Sequence, residues 1–236
     1  MVLLTTNTKF KKDSKKYLAL GLQLAPHKMA GMGNVCPNAS LGCKNSCLFS
    51  AGLGRMPNVI KGRINRTKLF FQNKDLFMRM LFTEIELQDM AAKKSKRKLA
   101  LRLNTISDIA WEKILVNGKN VFETYPKIQF FDYTKSPARM SAFLAGELPK
   151  NYHLTFSRSE SNEKIVDSVL ASGGNVAVVF RGALPKTWKG YPVIESDSSD
   201  LRFKDPRNVV CGLVQKGKAK LDKSGFVVEP MEKEVA

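Results

Sequence analysis

The sequence predicts an α/β protein built on a parallel sheet, in the form of a full or partial (β/α) barrel. Two observations support this fold class: short apolar runs recur along the chain, and helix-compatible stretches separate several of them at intervals of about 25 residues. Alternation of strand and helix is typical of βαβ units. An open doubly wound sheet is the alternative arrangement of the same elements. The seven predicted strands are residues 17–25, 98–105, 127–134, 152–158, 175–181, 191–196 and 208–215.

The first half of the chain divides into four segments by composition. Residues 1–16 form a basic N-terminal lead-in without an obvious core role, and residues 17–25 form the first strand, which ends at Pro26. Glycine and proline punctuate residues 26–57, so we expect a loop without long regular structure. From residue 58 to 94 apolar positions recur three to four apart, which predicts a basic helical pair. Asn73 is expected to cap its second helix, with Asp75 in the first turn.

Repeated strand–helix units are expected over residues 98–228, and the 236 residues together suit a single domain, 1–236. Helices are predicted within residues 107–115, 136–148 and 159–174, with Ser107 and either Ser159 or Ser161 as caps. Gly173 and Gly174 should end the last of these helices.

Three cysteines lie close together in the loop, with the spacing C-x6-C-x3-C. Thiolates are the ligands that hold iron–sulfur clusters and zinc, and no apolar stretch at the N-terminus is long enough for a signal peptide, so a disulfide is disfavoured. We therefore predict a metal-binding loop, 26–57, with a [4Fe–4S] cluster favoured, zinc as the alternative metal, and reduced structural cysteines as the remaining interpretation. The predicted ligands are Cys36, Cys43 and Cys47.

Candidates for a fourth ligand are few. His27 lies nine residues before Cys36 and is near enough in sequence to reach the same metal. His153 lies in an apolar run and is expected in the core. Cys211 is expected to be a buried strand residue, because free cysteine packs as a small apolar side chain.

Polar side chains follow the predicted strands. Because ligands of parallel barrels and sheets bind at the carboxyl ends of the strands, we expect these side chains to face the cysteine loop across a concave opening. The candidate residues for cofactor and substrate contacts are Asn104, Asp108, Asp132, Ser157, Arg158 and Glu160.

The chain is strongly basic, with 39 Lys and Arg against 21 Asp and Glu, a formal net charge of +18 and a pI near 9.8. The charge is concentrated in residues 9–16, 61–74 and 93–98. Such a field attracts nucleic acid or nucleotides, although solvated surface is the alternative interpretation. No apolar run suffices for a membrane helix. Two histidines exclude a histidine-rich catalytic zinc site, and the absence of GxxxxGK[ST] argues against a P-loop enzyme.

At whole-chain level the sequence resembles the phage "gene product 88" family. The resemblance is carried by NVCPNASLGCKNSCLFSAGLGR, RLNTISDIAWE, FFDYTKSP, NYHLTFSRSESN and NVAVVFRG, with further segments across residues 18–228. It implies a phage protein, acting in the cytoplasm of an infected host cell, and supplies no reaction. The three-cysteine loop after the first barrel strand also resembles radical S-adenosylmethionine enzymes, whose usual spacing is C-x3-C-x2-C.

Two functions are therefore expected. The first is a radical S-adenosylmethionine-like enzyme, with a [4Fe–4S] cluster and S-adenosylmethionine as cofactors, acting on a nucleotide or nucleic-acid substrate. The second is a nucleic-acid-binding protein whose metal site is structural or senses redox state. Hydrolysis at a zinc centre finds no supporting motif in the sequence.

Overall fold

A computed structural model describes residues 1–11 and 14–230, whose strands form one nine-stranded sheet of order β1-β2-β3-β4-β5-β6-β9-β8-β7. The strands are β1 Leu4–Thr5, β2 Tyr17–Leu22, β3 Lys98–Arg102, β4 Gln129–Thr134, β5 Tyr152–Ser157, β6 Val176–Phe180, β7 Thr187–Trp188, β8 Tyr191–Glu195 and β9 Val210–Val214. All seven predicted strands are confirmed, as β2 to β6, β8 and β9. Strands β1 and β7 were not predicted because two residues are too few to establish a periodicity.

The sheet is mainly parallel. Neighbouring strands from β2 through β6 to β9 and β8 run in the same direction, whereas β1 and β7 pair antiparallel at the two edges. The sheet is thus open, and the α/β parallel class is confirmed. Strands β2 to β6 follow one another in chain order, which right-handed crossovers produce when the helices lie on one face, as in a sector of a barrel.

The helices are α1 Leu41–Asn45, α2 Pro57–Gln72, α3 Lys74–Lys94, α4 Val121–Thr124, α5 Pro137–Leu144 and α6 Glu163–Ala171. The predicted helical pair is confirmed as α2 and α3. Asn73 caps α3 as expected, since its side chain accepts a hydrogen bond of 3.0 Å from the Leu76 N–H. Gly173 follows α6 with φ +79°, a left-handed conformation that suits glycine, which confirms the predicted helix end.

The predicted serine caps are wrong. Ser107 donates its hydroxyl to the Asn104 side chain, which also accepts from the Ile109 N–H and holds residues 104–109 in a turn. Only a 3-10 helix, Trp111–Lys113, forms in the stretch predicted as a helix over 107–115. Helix α6 begins after Asn162 rather than after Ser159 or Ser161, so neither serine caps it.

Two apolar layers cover the sheet. The larger joins the sheet to the helices and includes Phe77 and Leu81 of α3, Trp111 and Phe130. A smaller cluster lies on the opposite strand positions and contains Phe10, Ala19, Ala100, Phe131 and Leu201. The side chains of successive strand residues point to opposite faces, so each strand contributes to both layers.

The expectation that residues 1–16 have no core role is wrong. Leu3, Leu4 and Phe10 are buried, and β1 pairs with β2. The Glu84 carboxylate accepts hydrogen bonds of 2.8 to 2.9 Å from the Leu3 and Leu4 N–H groups. This segment therefore covers an edge of the sheet and brings Lys9 toward the strand ends.

Candidate functional site

A cavity of about 450 Å³ opens at the carboxyl ends of the parallel strands. Its floor comes from inward positions of four strands, Arg102 of β3, Tyr133 of β4, Ser157 of β5 and Val179 of β6, while the loop between β2 and α2 forms one wall. A cavity of this size matches the sites in which proteins bind small molecules.

All three loop cysteines line this cavity. Cys36 lies in the loop before α1, Cys43 lies on α1, and Cys47 follows α1. The Cys36 thiol accepts a hydrogen bond from the His27 N–H at 3.3 Å and donates one to the Ile106 carbonyl at 3.5 Å. The three cysteines thus line one cavity, and their role as ligands of one metal stays a prediction.

Helix α1 is too short to be stable alone, and polar contacts hold it. The Ser40 hydroxyl accepts a hydrogen bond of 3.1 Å from the Cys43 N–H. The Glu160 carboxylate, which follows β5, accepts hydrogen bonds of 2.8 Å from the Ser40 hydroxyl and from the Gly42 N–H. Cys43 is therefore tied to the rim of the sheet through Glu160.

The thiols lie in partly dry surroundings. Burial, with smaller contributions from the proximity of Cys47 and Cys43, raises the pKa of Cys36 to about 12. Burial also raises the pKa of Cys47, against which the charges of Lys135 and Arg63 act. Both thiols accordingly stay protonated at neutral pH unless a bound cation stabilises the thiolate.

The donor chemistry fits a soft metal centre, because three free thiols face one cavity and none of them forms a disulfide. Within residues 1–11 and 14–230, however, no three His, Cys, Asp or Glu side chains are grouped closely enough to hold a metal ion. A shared metal therefore requires the thiols to turn toward one another.

The other three metal-ligand candidates behave differently. His27 has a positive φ of 44° and contacts Cys36 through its backbone N–H, so its backbone lies next to the Cys36 thiol. His153 packs edge-on against Phe143, as expected of a core histidine. Cys211 is buried in β9, which confirms that expectation.

Asn104 and Asp108 line the cavity, but their polar atoms are largely engaged. The Asn104 carbonyl oxygen accepts from Ser107, and its amide donates to the Ile109 carbonyl at 2.9 Å. Asp108 accepts 2.6 Å and 2.8 Å hydrogen bonds from Arg139 and from the Thr134 hydroxyl. Both residues shape the cavity wall.

Ser157 also lines the cavity, and its side chain has fewer hydrogen-bond partners than those of Asn104 and Asp108. Its hydroxyl accepts a hydrogen bond of 2.6 Å from the Lys135 ammonium, which also lies 5.6 Å from the centre of the Phe226 ring. Lys135 follows β4 and lines the same cavity. Ser157 and Lys135 thus form a polar pair in the lining of the cavity, suited to an anionic or hydroxyl group of a ligand.

Asp132, Arg158 and Glu160 lie outside the lining of the cavity. Asp132 alternates with Tyr133 along β4 and points to the helix side, where it accepts from Asn104 and from the Tyr152 hydroxyl at 2.9 Å. Burial raises its pKa to about 6. Arg158 donates to the carbonyls of Gly225 and Phe226, which fixes the segment that carries Phe226.

The structure adds charged residues that were not among the candidates for cofactor and substrate contacts. Lys9 and Lys216 donate to the Asp197 carboxylate at 3.0 Å and 2.6 Å, and Arg102 pairs with Asp200 at 2.9 Å. Asp197, Asp200 and Lys216 follow strands and Arg102 ends β3, which is the signal that could have identified them. Lys9 gave no such signal, because it reaches the site from the lead-in.

Two basic residues of α2 that were expected to contribute to a nucleic-acid surface point inward. Arg63 is buried and donates to the Gln23 side chain at 2.5 Å and 3.1 Å. Arg66 donates to the Gln23 carbonyl at 2.9 Å. Both guanidinium groups therefore brace the loop against β2.

No helix in the described part of the chain combines the length and the apolar character needed to cross a membrane. Comparison with known proteins gives one match: the family model described as "Gene product 88" matches residues 1–230. No curated protein and no solved structure matches the chain. The sequence resemblance is confirmed over nearly the whole length, and the chain belongs to the gene product 88 family.

Proposed function

We propose that this phage protein is an iron–sulfur enzyme of the radical S-adenosylmethionine type, acting in the cytoplasm of the infected host cell. Cys36, Cys43 and Cys47 would hold a [4Fe–4S] cluster. The observation that carries the proposal is the position of the three cysteines: all three line one cavity at the carboxyl ends of consecutive parallel strands.

In the proposed enzyme the bound cluster supplies an electron for the cleavage of S-adenosylmethionine. The protein's own residues bind and orient. Lys135 and Arg63 favour the thiolate of Cys47 electrostatically. Ser157 and Lys135 offer a hydroxyl and an ammonium group to the cofactor or the substrate, and the ring of Phe226 lines the same cavity.

The cavity also bears on the substrate class. Its volume of about 450 Å³ suits a nucleotide-sized molecule and is too small to enclose a duplex. The basic side chains at the cavity, Lys9, Lys135 and Lys216, favour an anionic group on that molecule.

Anaerobic reconstitution with iron and sulfide tests the metal. The wild-type protein is expected to bind about four irons with a broad absorbance near about 400 nm. Serine at Cys36, Cys43 or Cys47 should abolish this absorbance, whereas Cys211→Ser, the matched control, should retain it. A colourless protein that holds one zinc, or equal loss in the Cys211→Ser control, would overturn the cluster.

A second measurement tests the cofactor. Cluster-loaded protein should bind S-adenosylmethionine at equilibrium and, with a chemical reductant, release methionine. Ser157→Ala should weaken binding while leaving the iron content unchanged. A fully loaded protein that neither binds nor cleaves S-adenosylmethionine rejects this reaction, even if the cluster is present.

The alternative function is nucleic-acid binding with a structural or redox-sensing metal site. The exposed side chains of Lys61, Lys68 and Lys74 favour it, because they leave a cationic surface on α2 and at the start of α3. The ring of Phe70 on α2 is buried against Phe77 and does not offer a surface on which a base could stack. Gel-shift affinity for an oligonucleotide should fall steeply with salt if this function holds.

A further inference from the structure

Five large apolar side chains are exposed on two segments that contribute residues to the cavity lining. Leu41, Leu53 and Leu221 are 71%, 76% and 82% exposed, and Leu48 and Met56 are exposed as well. We call these five residues the apolar collar. Isolated exposed leucines are ordinary on protein surfaces, whereas several on neighbouring segments are typical of an interaction site.

The two segments that carry the collar lie against each other. The members of the collar come from residues 41–56 and from the 3-10 helix Gly217–Leu221, and these two segments touch: the Lys218 N–H donates to the Ser50 hydroxyl at 3.4 Å. Leu48 itself lines the cavity, as do Gly54, next to Leu53, and Ala219, two residues before Leu221.

The same two segments are cationic. Residues 14–74 contain ten Lys and Arg residues and neither Asp nor Glu. Lys44, Arg55, Lys218 and Lys220 are exposed around the collar. Asp222, which directly follows the second segment, is buried. Its carboxylate accepts hydrogen bonds from the Ser46 hydroxyl and from the Val227 N–H, so it faces inward.

We propose that the apolar collar and its cationic border bind an acidic polypeptide that carries exposed leucine-like side chains. Charge complementarity requires an anionic partner, and the chemistry of the collar selects a polypeptide. Nucleic-acid bases stack on aromatic rings, whereas all five collar residues are aliphatic. This inference is independent of the proposed cluster.

Fluorescence anisotropy with defined probes tests the inference on the metal-free, full-length protein. The probes are a labelled peptide of repeating Glu-Glu-Leu units, a matched peptide of Glu-Glu-Gly units, and an oligothymidylate of equal charge. The leucine peptide should bind at least about tenfold more tightly than the glycine peptide. The measurement is repeated on cluster-loaded protein, where the preference for the leucine peptide over the glycine peptide should be the same as in the metal-free protein. This comparison separates the inference from the proposed function.

Serine substitutions locate the site. The triple variant Leu41→Ser, Leu53→Ser, Leu221→Ser should lose the leucine preference. The control Leu87→Ser, Met90→Ser, Leu115→Ser changes three equally apolar, exposed residues away from the cavity and should keep it. Equal binding of the two peptides, equal loss in the control, or tightest binding of the oligothymidylate would each overturn the inference.

Discussion

Glu160 and Gly42 join the cysteine loop to the sheet. The Glu160 carboxylate accepts a 2.8 Å hydrogen bond from the Gly42 N–H, and its other oxygen accepts from the Ser40 hydroxyl. Because Ser40 in turn caps the helix that carries Cys43, one carboxylate orients a whole turn of the loop. Glu160 is thus a positioning residue for Cys43.

Replacement of Glu160 by Ala should loosen the loop. Loss of two charge-assisted hydrogen bonds is expected to lower the free energy of unfolding by about 2 kcal/mol, and Glu160→Gln, which keeps one acceptor, should lower it less. Hydrogen exchange of residues 40–47 should rise in both variants. Glu147→Ala, at an exposed position, is the control. Unchanged exchange in Glu160→Ala would show that the loop is held by other contacts.

A buried arginine holds Asp108, one of the residues that line the cavity. Arg139 pairs with Asp108 at 2.6 Å and Glu112 at 2.7 Å, and it donates to the Tyr152 hydroxyl. Arg139→Met should lower the free energy of unfolding by about 3–5 kcal/mol, because it leaves two carboxylates buried without their partner. Urea denaturation measures this. The stability of Arg139→Lys, which keeps the charge but not the forked geometry, should lie between those of the wild type and Arg139→Met. A smaller loss of stability in Arg139→Met than in Arg139→Lys would contradict this role of Arg139.

The pH dependence of stability should report on His153. Burial, with a contribution from Arg202, lowers the pKa of His153 to about 4 from the ordinary 6.5. The folded state therefore binds this proton less readily than the unfolded state, so stability is retained above the unfolded pKa and lost as pH falls toward the folded one.

His153→Leu should remove this loss, by an amount of about 3 kcal/mol. The measurement is the free energy of unfolding of both proteins at about pH 7.5 and about pH 4.5. Asp132 titrates in the opposite direction, since burial raises its pKa to about 6, but it is common to both proteins and cancels in the comparison. Equal acid loss in the two proteins would exclude the role of His153.

Two glycines of the cysteine loop provide a matched pair. Both have positive φ, +78° at Gly31 and +58° at Gly33, but a side chain at Gly31 would meet open space, whereas one at Gly33 would overlap the ring of Phe71. Gly31→Ala should lower stability by about 1 kcal/mol through backbone strain alone. Gly33→Ala should lower it by about 1 kcal/mol more. Equal thermal shifts would show that Phe71 moves aside freely.

Local patterns were sufficient for most of the elements. Alternation and length predicted the seven longer strands, and the spacing of apolar residues in 58–94 predicted α2 and α3 with Asn73 between them. The helix predicted over 107–115 did not form, because the Asn104 side chain accepts hydrogen bonds from the Ser107 hydroxyl and the Ile109 N–H. The spacing of apolar residues does not reveal such competing hydrogen bonds.

The candidate site was predictable only in part, for a reason of strand geometry. Asn104, Asp108 and Ser157 line the cavity, whereas Asp132 and Arg158 are each one position out of phase with the cavity-lining residues Tyr133 and Ser157. A polar cluster at a strand end marks the correct rim, but alternation decides which neighbour faces the ligand.

The sequence by itself determined the α/β class, the consecutive strands and the grouping of three thiols within one loop, because these follow from local periodicity and spacing. The tertiary structure alone decided that Lys9 reaches the cavity, that Arg63 turns inward to Gln23, and that Glu160 holds α1. Each of these depends on contacts between residues far apart in the chain, and such contacts are set by how the strands pair and how the loops pack on them.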